Sequence, residues 1–224
     1  VVDILGASGA SDPGSNPGWG VPFFPEIDYS SQPLPYIRIQ EDLSMQDITT
    51  VAGEYGAYLQ RVAAVLAADA ERLNALAGLI DSAPAVHLFG FGRSGTAALA
   101  MAIRLRHFLA PGQQVFWLRD QVRDPIREDD LVILFSKSGD RREVISFLET
   151  SRNARARCIA VTAIASSPLA RDSVLTFILP LMEKSDPYGG GDFELSAWFF
   201  QEVFLDWYGI THDISGERVW KHHI

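Results

Sequence analysis

Pro84–Leu109 reads PAVHLFGFGRSGTAALAMAIRLRHFL. Val86–Phe89 is a short apolar run that ends in glycines, and Thr96–Leu109 carries apolar residues at helical spacing. Strand, tight glycine turn and helix in that order mark one unit of a parallel sheet. The alternation continues with Val115–Leu118, with Leu131–Phe135 followed by a helix over Arg142–Ser151, and with Cys158–Thr162 and Val174–Leu179. These five apolar runs, with helices between several of them, predict a mainly parallel sheet covered on both faces.

Outward from this centre the pattern changes. From Met45, apolar spacings of three and four (Leu59, Val62, Val65, Leu66, Leu73, Leu76, Ile80) predict one long helix or two short ones before the sheet. Residues 1–44 crowd Gly, Pro, Ser and Asn without a hydrophobic period and read as an irregular arm. The aromatics of that arm (Trp19, Phe23, Phe24, Tyr29, Tyr36) are unusual for a flexible linker and predict docking on its own domain or a neighbour. The domain proper therefore runs 45–224. Its last long helix, Phe193–Tyr208, is apolar on nearly every side, which predicts burial all round and contact with another subunit.

The 224 residues are 47% apolar and 21% charged, an ordinary globular balance. A net charge of -9 argues against nucleic-acid or anionic-membrane partners, which require a broad basic face. Any anion site must be local. The single cysteine, Cys158, cannot form an internal disulfide and fits a reducing compartment. No apolar run reaches the ~18 residues of a membrane span, and the first residues lack a signal-peptide pattern, so the expected location is the cytoplasm.

Ligands of open parallel sheets bind beyond the carboxyl ends of the strands. After the first strand comes Gly90-Phe91-Gly92-Arg93-Ser94-Gly95, whose glycines allow close backbone approach and whose helix offers amides to an anion. After the third comes Ser136-Lys137-Ser138-Gly139-Asp140-Arg141, an anion cradle of hydroxyls, glycine and cations. Tyr188-Gly189-Gly190-Gly191-Asp192-Phe193-Glu194 puts a carboxylate into the first turn of the last helix. Each has a plainer reading: a geometric turn, a helix cap, a carboxylate facing the helix dipole. The first loop also matches a dinucleotide fingerprint, with Asp120 standing where a ribose-binding acid belongs.

The segments FGFGRSG, RLRH, GDRREVI after FSKS, SSPLA and FELSAWFFQEVFLD, in this order, resemble sugar isomerase (SIS) domains, and among them 6-phospho-3-hexuloisomerases. The closing VWKHHI resembles the family's C-terminal stretch, where His223 or His222 takes the place of the family histidine. The resemblance implies a three-layer, flavodoxin-like α/β/α sandwich with a five-stranded sheet, assembled as a homotetramer or homodimer with sites near subunit boundaries. It implies an isomerase without cofactor that moves a carbonyl along an anionic sugar through an enediol. Glu194 would be the base, assisted by His223 or His222. Gly92, Arg93, Ser94, Ser136, Lys137, Ser138, Gly139 and Arg141 would bind the anion.

Three positions depart from the family: Lys137 replaces Gly, Arg141 replaces Thr and Gly191 replaces Thr. Fixed cations also suit a sulfonate or carboxylate, so a 6-deoxy-6-sulfo-hexose is an alternative substrate. A non-catalytic, sugar-phosphate-binding regulatory module is another. Such regulators carry a DNA-binding helix-turn-helix, and residues 1–44 hold one Arg, Arg38, and no amphipathic pattern. A base of this kind is served by partial burial, for which Phe193, Leu195 and Trp198 are the candidates. His87 falls in a strand and His107 on a helix, where packing or an interface is the simpler role. No histidine shows metal-ligand spacing, and no metal is expected.

Overall fold

A computed structural model describes residues 48–182 and 191–221. The arm, Tyr188–Gly190 and the candidates His222 and His223 lie outside the described residues. The helical stretch before the sheet is two helices, α1 (Ile48–Ala68) and α2 (Ala70–Ser82), separated at Asp69. Then follow β1 (Ala85–Gly90), α3 (Gly92–Leu105), β2 (Gln114–Trp117), β3 (Leu131–Ser136), α4 (Arg142–Asn153) and β4 (Arg157–Thr162). The chain continues through α5 (Pro168–Asp172), β5 (Leu175–Ile178), α6 (Asp192–Thr211) and α7 (Gly216–Trp220).

All four strand pairings are parallel, in the order β2-β1-β3-β4-β5. Because side chains alternate along a strand, β1, β3 and β4 each feed both layers. Leu131, Ile133 and Phe135 join Val86, Leu88, Ile159, Val161 and Phe177 in the core beneath α1, α2, α3 and α6. Val132 and Leu134 join Phe89, Cys158 and Ala160 in a second core with Val144, Leu148 and Leu169 of α4 and α5. The expected three-layer α/β/α sandwich is the observed one.

The chain leaves β1 for β2 on one side and then returns to β3 on the other. Such a reversal opens a crevice beyond the carboxyl ends of the two strands, here β1 and β3. Gly90 is in register with Phe135, so the glycine and serine loops leave the sheet side by side.

Two elements differ from the sequence expectation in ways that shape this crevice. α3 starts at Gly92, not Thr96, so Arg93 and Ser94 belong to its first turn. The cause is contact: a Cβ on Gly95 would sit 2.5 Å from the Gly90 carbonyl oxygen, so only glycine lets the helix begin directly on the strand end. α3 also ends earlier, at Leu105, and the chain turns through Phe108, whose amide bonds the Leu105 carbonyl at 2.9 Å. α6 is not buried all round within the chain, since Trp198 and Ile210 remain 41% and 79% exposed. α3 covers part of that side, with Arg104 donating to Glu202 and Asp206. The short helices α5 and α7 go beyond the sequence expectation, although each opens with a serine cap: Ser167 Oγ accepts from the Ala170 amide and Ser215 Oγ from the Arg218 amide, both at 3.2 Å.

Candidate active site

α6 begins at the β1/β3 crevice, and both flanking loops hold its first turn. From the β1 side, buried Ser94 Oγ donates to Glu194 Oε1 at 3.0 Å. From the β3 side, Lys137 Nζ donates to Asp192 Oδ1 at 2.8 Å. A third tie comes from α1, where fully buried Tyr58 directs its hydroxyl to the carbonyls of Asp192 (2.6 Å) and Pro180 (2.9 Å). Glu194 thus lies in the first turn of α6, with Ser94 as its partner. Of its three expected neighbours, Phe193 is fully buried, Leu195 partly, and Trp198 is exposed with its indole N–H on Thr96.

The sequence does not single out Asp192, yet among the described residues it is the most thoroughly bonded carboxylate at the site. Besides Lys137, it accepts the Phe193 amide (2.9 Å) and the Met182 amide (3.1 Å). Burial alone pushes its carboxyl up, but these bonds and the Lys137 charge outweigh burial and hold it below the usual carboxylate value.

The serine loop is shaped from beneath. Ser136 Oγ accepts the Gly139 amide at 3.1 Å, while Thr162 Oγ1 and the Ala163 amide bond the Lys137 carbonyl. Gly139 has φ +65°, and a Cβ there would collide with Ser167 Oγ, so the position must be glycine. Ser138 donates to Asp140 at the exposed lip. The Arg141 guanidinium lies 4.6 Å above the Phe91 ring, bridging the two loops. Arg93 lies against Gly191: a Cβ on that glycine would collide with its guanidinium. The space a threonine side chain would need at 191 is therefore taken by Arg93.

The structure thus gathers Gly92, Arg93, Ser94, Ser136, Lys137, Ser138, Gly139, Arg141 and Glu194 about one crevice. The N-cap residues of the three helices starting there, Phe91, Arg141 and Gly191, supply no side-chain cap. The first amides of α3 and α4 are the natural donors to an anion, whereas in α6 the Phe193 amide is already taken by Asp192. Among the described residues no group of His, Cys, Asp and Glu is placed to hold a metal ion, and no helix is long and apolar enough to cross a membrane.

Asp120 does not join this site. It lines a cleft of about 790 Å³ with Leu99, Ile103, Val115 and Trp117, on the side of the sheet-edge strand β2. A dinucleotide fold places a third strand outside β2, and none of the described residues forms one.

Residues 79–192 match the model of the SIS domain, just over half of the chain. The chain belongs to the SIS domain family. This SIS chain is 30% identical over 162 residues to a 3-hexulose-6-phosphate isomerase of Mycobacterium gastri, spanning 69% of the chain and 80% of that protein. It is 33% identical over 112 residues to the HTH-type transcriptional regulator HexR of Pseudomonas aeruginosa, spanning 49% of the chain and 39% of the regulator. Among solved structures, a hypothetical protein from Methanococcus jannaschii, for which the function of a 3-hexulose-6-phosphate isomerase is inferred, superposes with TM-score 0.63 at 24% identity. The match covers 69% of the SIS chain and 85% of that protein. At that identity the likeness shows the fold.

Proposed function

We propose that this SIS chain is a sugar isomerase that shifts a carbonyl along an anionic ketohexose or aldohexose through an enediol, in the manner of a 3-hexulose-6-phosphate isomerase. The observation that carries the reading is the placement of Glu194 in the first turn of α6 at the β1/β3 crevice, hydrogen-bonded to Ser94. The similarity to the Mycobacterium gastri isomerase supports the same chemistry.

In this reading the Glu194 carboxylate removes the proton from the carbon beside the carbonyl, and the electron pair moves to the carbonyl oxygen, which takes up a proton to give an enediol. Returning the proton to the neighbouring carbon completes the shift, with no net oxidation. His223 or His222 handles the oxygen-bound proton or ring opening. Ser136, Ser138, the amides at the start of α4, and Lys137 and Arg141 hold the anionic tail, so that binding energy far from the reacting carbons positions them. The site belongs near a subunit boundary of a homo-oligomer.

The two cations leave a 6-deoxy-6-sulfo-hexose as an alternative substrate, and the likeness to HexR leaves a sugar-phosphate-binding regulatory role as the rival. A coupled isomerase screen over 3-hexulose 6-phosphate, pentose phosphates and 6-sulfonated hexoses, read beside ligand-induced thermal shifts, separates them. Turnover of one substrate class is the expected result. Thermal stabilisation by a sugar phosphate without any turnover would support the regulator instead.

A further inference from the structure

Lys137 leans out of the serine loop and ends on α6. Its ammonium lies 2.8 Å from Asp192 Oδ1, with the lysine side chain 41% and the aspartate side chain 11% exposed. Asp192 is fixed by the Phe193 and Met182 amides as well, so it stays in place as the lysine's counter-charge. Its carboxyl is held below the usual range and remains ionised through mildly acidic pH. The cation contributed by residue 137 therefore enters the crevice as half of a neutral pair. The field of a close +/− pair falls off with distance faster than that of a single charge. A second negative charge on an arriving ligand gains little from it.

We propose that Asp192 is a specificity-determining residue of this site: by neutralising Lys137 it lets the crevice accept singly charged acidic tails, such as a sulfonate, nearly as well as a phosphate dianion. The proposal rests on the reading of the crevice as an anionic-sugar site. It assigns the charge preference to a residue that acts through Lys137 and does not itself touch the anion.

The probes are a hexose 6-phosphate, singly charged near pH 5 and doubly charged near pH 8 because its second ionisation lies at about 6, and a 6-sulfonated hexose, singly charged at both. Binding of each is measured by calorimetry to the full chain and its variants. In the wild type, the phosphate-to-sulfonate affinity ratio changes by less than about threefold from pH 5 to pH 8. In Asp192→Asn, Lys137 stands as a net cation and the ratio at pH 8 rises about three- to tenfold. Lys137→Met leaves the carboxylate alone and lowers the ratio. The double variant restores it. These signs differ from those of a merely structural residue, whose loss weakens both probes together. Lys137→Met and the double variant carry the test if Asp192→Asn does not fold. A ratio that follows neither single substitution, with binding intact, overturns the proposal. A wild type that binds neither probe overturns the anionic-sugar reading, and the proposal with it.

Discussion

Ser94 Oγ donates to Glu194 Oε1 across 3.0 Å, joining the first turns of α3 and α6 although the two residues stand 100 positions apart. A hydroxyl has one proton to give, and here it goes to the carboxylate proposed as the base. Hydrogen bonds to charged groups contribute about 1.5 to 3 kcal/mol. Ser94→Ala is therefore expected to lower kcat about 10- to 100-fold with a smaller change in KM. Steady-state kinetics on 3-hexulose 6-phosphate check this, and an unchanged kcat would contradict it.

Tyr58 ties α1 to the start of α6 through two backbone carbonyls, those of Pro180 and Asp192. Tyr58→Phe keeps the packing of the ring but removes the single hydroxyl proton that the two carbonyls share. The expected cost is about 1 to 3 kcal/mol of stability, measured as a lower urea midpoint with an unchanged slope. Equal midpoints would show that the hydroxyl is dispensable.

Gly139 combines a left-handed backbone with a Cβ position already filled by Ser167. Gly139→Ala is expected to cost about 2 to 5 kcal/mol, from backbone strain together with overpacking. It should weaken binding of sugar anions in parallel, because Ser136 receives the amide of this same residue. A stable variant with normal binding would remove the loop geometry from the account.

These three residues differ in how far the sequence reveals them. Ser94 and Gly139 stand in glycine-punctuated loops at strand ends, where the parallel-sheet pattern already directs attention. Tyr58 looks like any aromatic in an Ala-rich helix, and its partners lie 122 and 134 residues away. Asp192 reads as an ordinary acid in a first helical turn until Lys137 is seen to reach it. The strands are legible because each is an apolar run closed by turn residues. Their order is not, since runs of equal composition carry no label for their neighbours. The start of α3 is hidden because glycines read as a loop, whereas here they let a helix sit directly on a strand end.

His87 lies 3.0 Å from Asp130 in the sheet, stacked on Phe116. Burial pushes its imidazole below the ordinary value, against the raising effects of Asp130 and Asp124, while Arg123 lowers it further. As pH falls through about 6.5, the unfolded imidazole takes up a proton that the folded one refuses, so acid favours unfolding. This contribution is complete above about pH 6.5 and declines below it, by at most about 1.4 kcal/mol per pH unit. Asp192, shifted down, adds its own loss only below about pH 3.9. Urea midpoints should therefore drop from pH 7 to pH 5, and His87→Gln should flatten that drop. Equal slopes in the two proteins would contradict the assignment.

Glu194 is the group proposed to move the carbon-bound proton. Glu194→Gln keeps the shape and the contact with Ser94 while removing the base, and a positioned base is typically worth about 10² to 10⁴ in rate. The decisive measurement is exchange of the substrate's carbon-bound proton with deuterated water, followed alongside turnover in wild type and variant. Both should fall by about that factor in Glu194→Gln while sugar-anion binding persists. A Gln variant that exchanges and isomerises at nearly the wild-type rate would contradict that role.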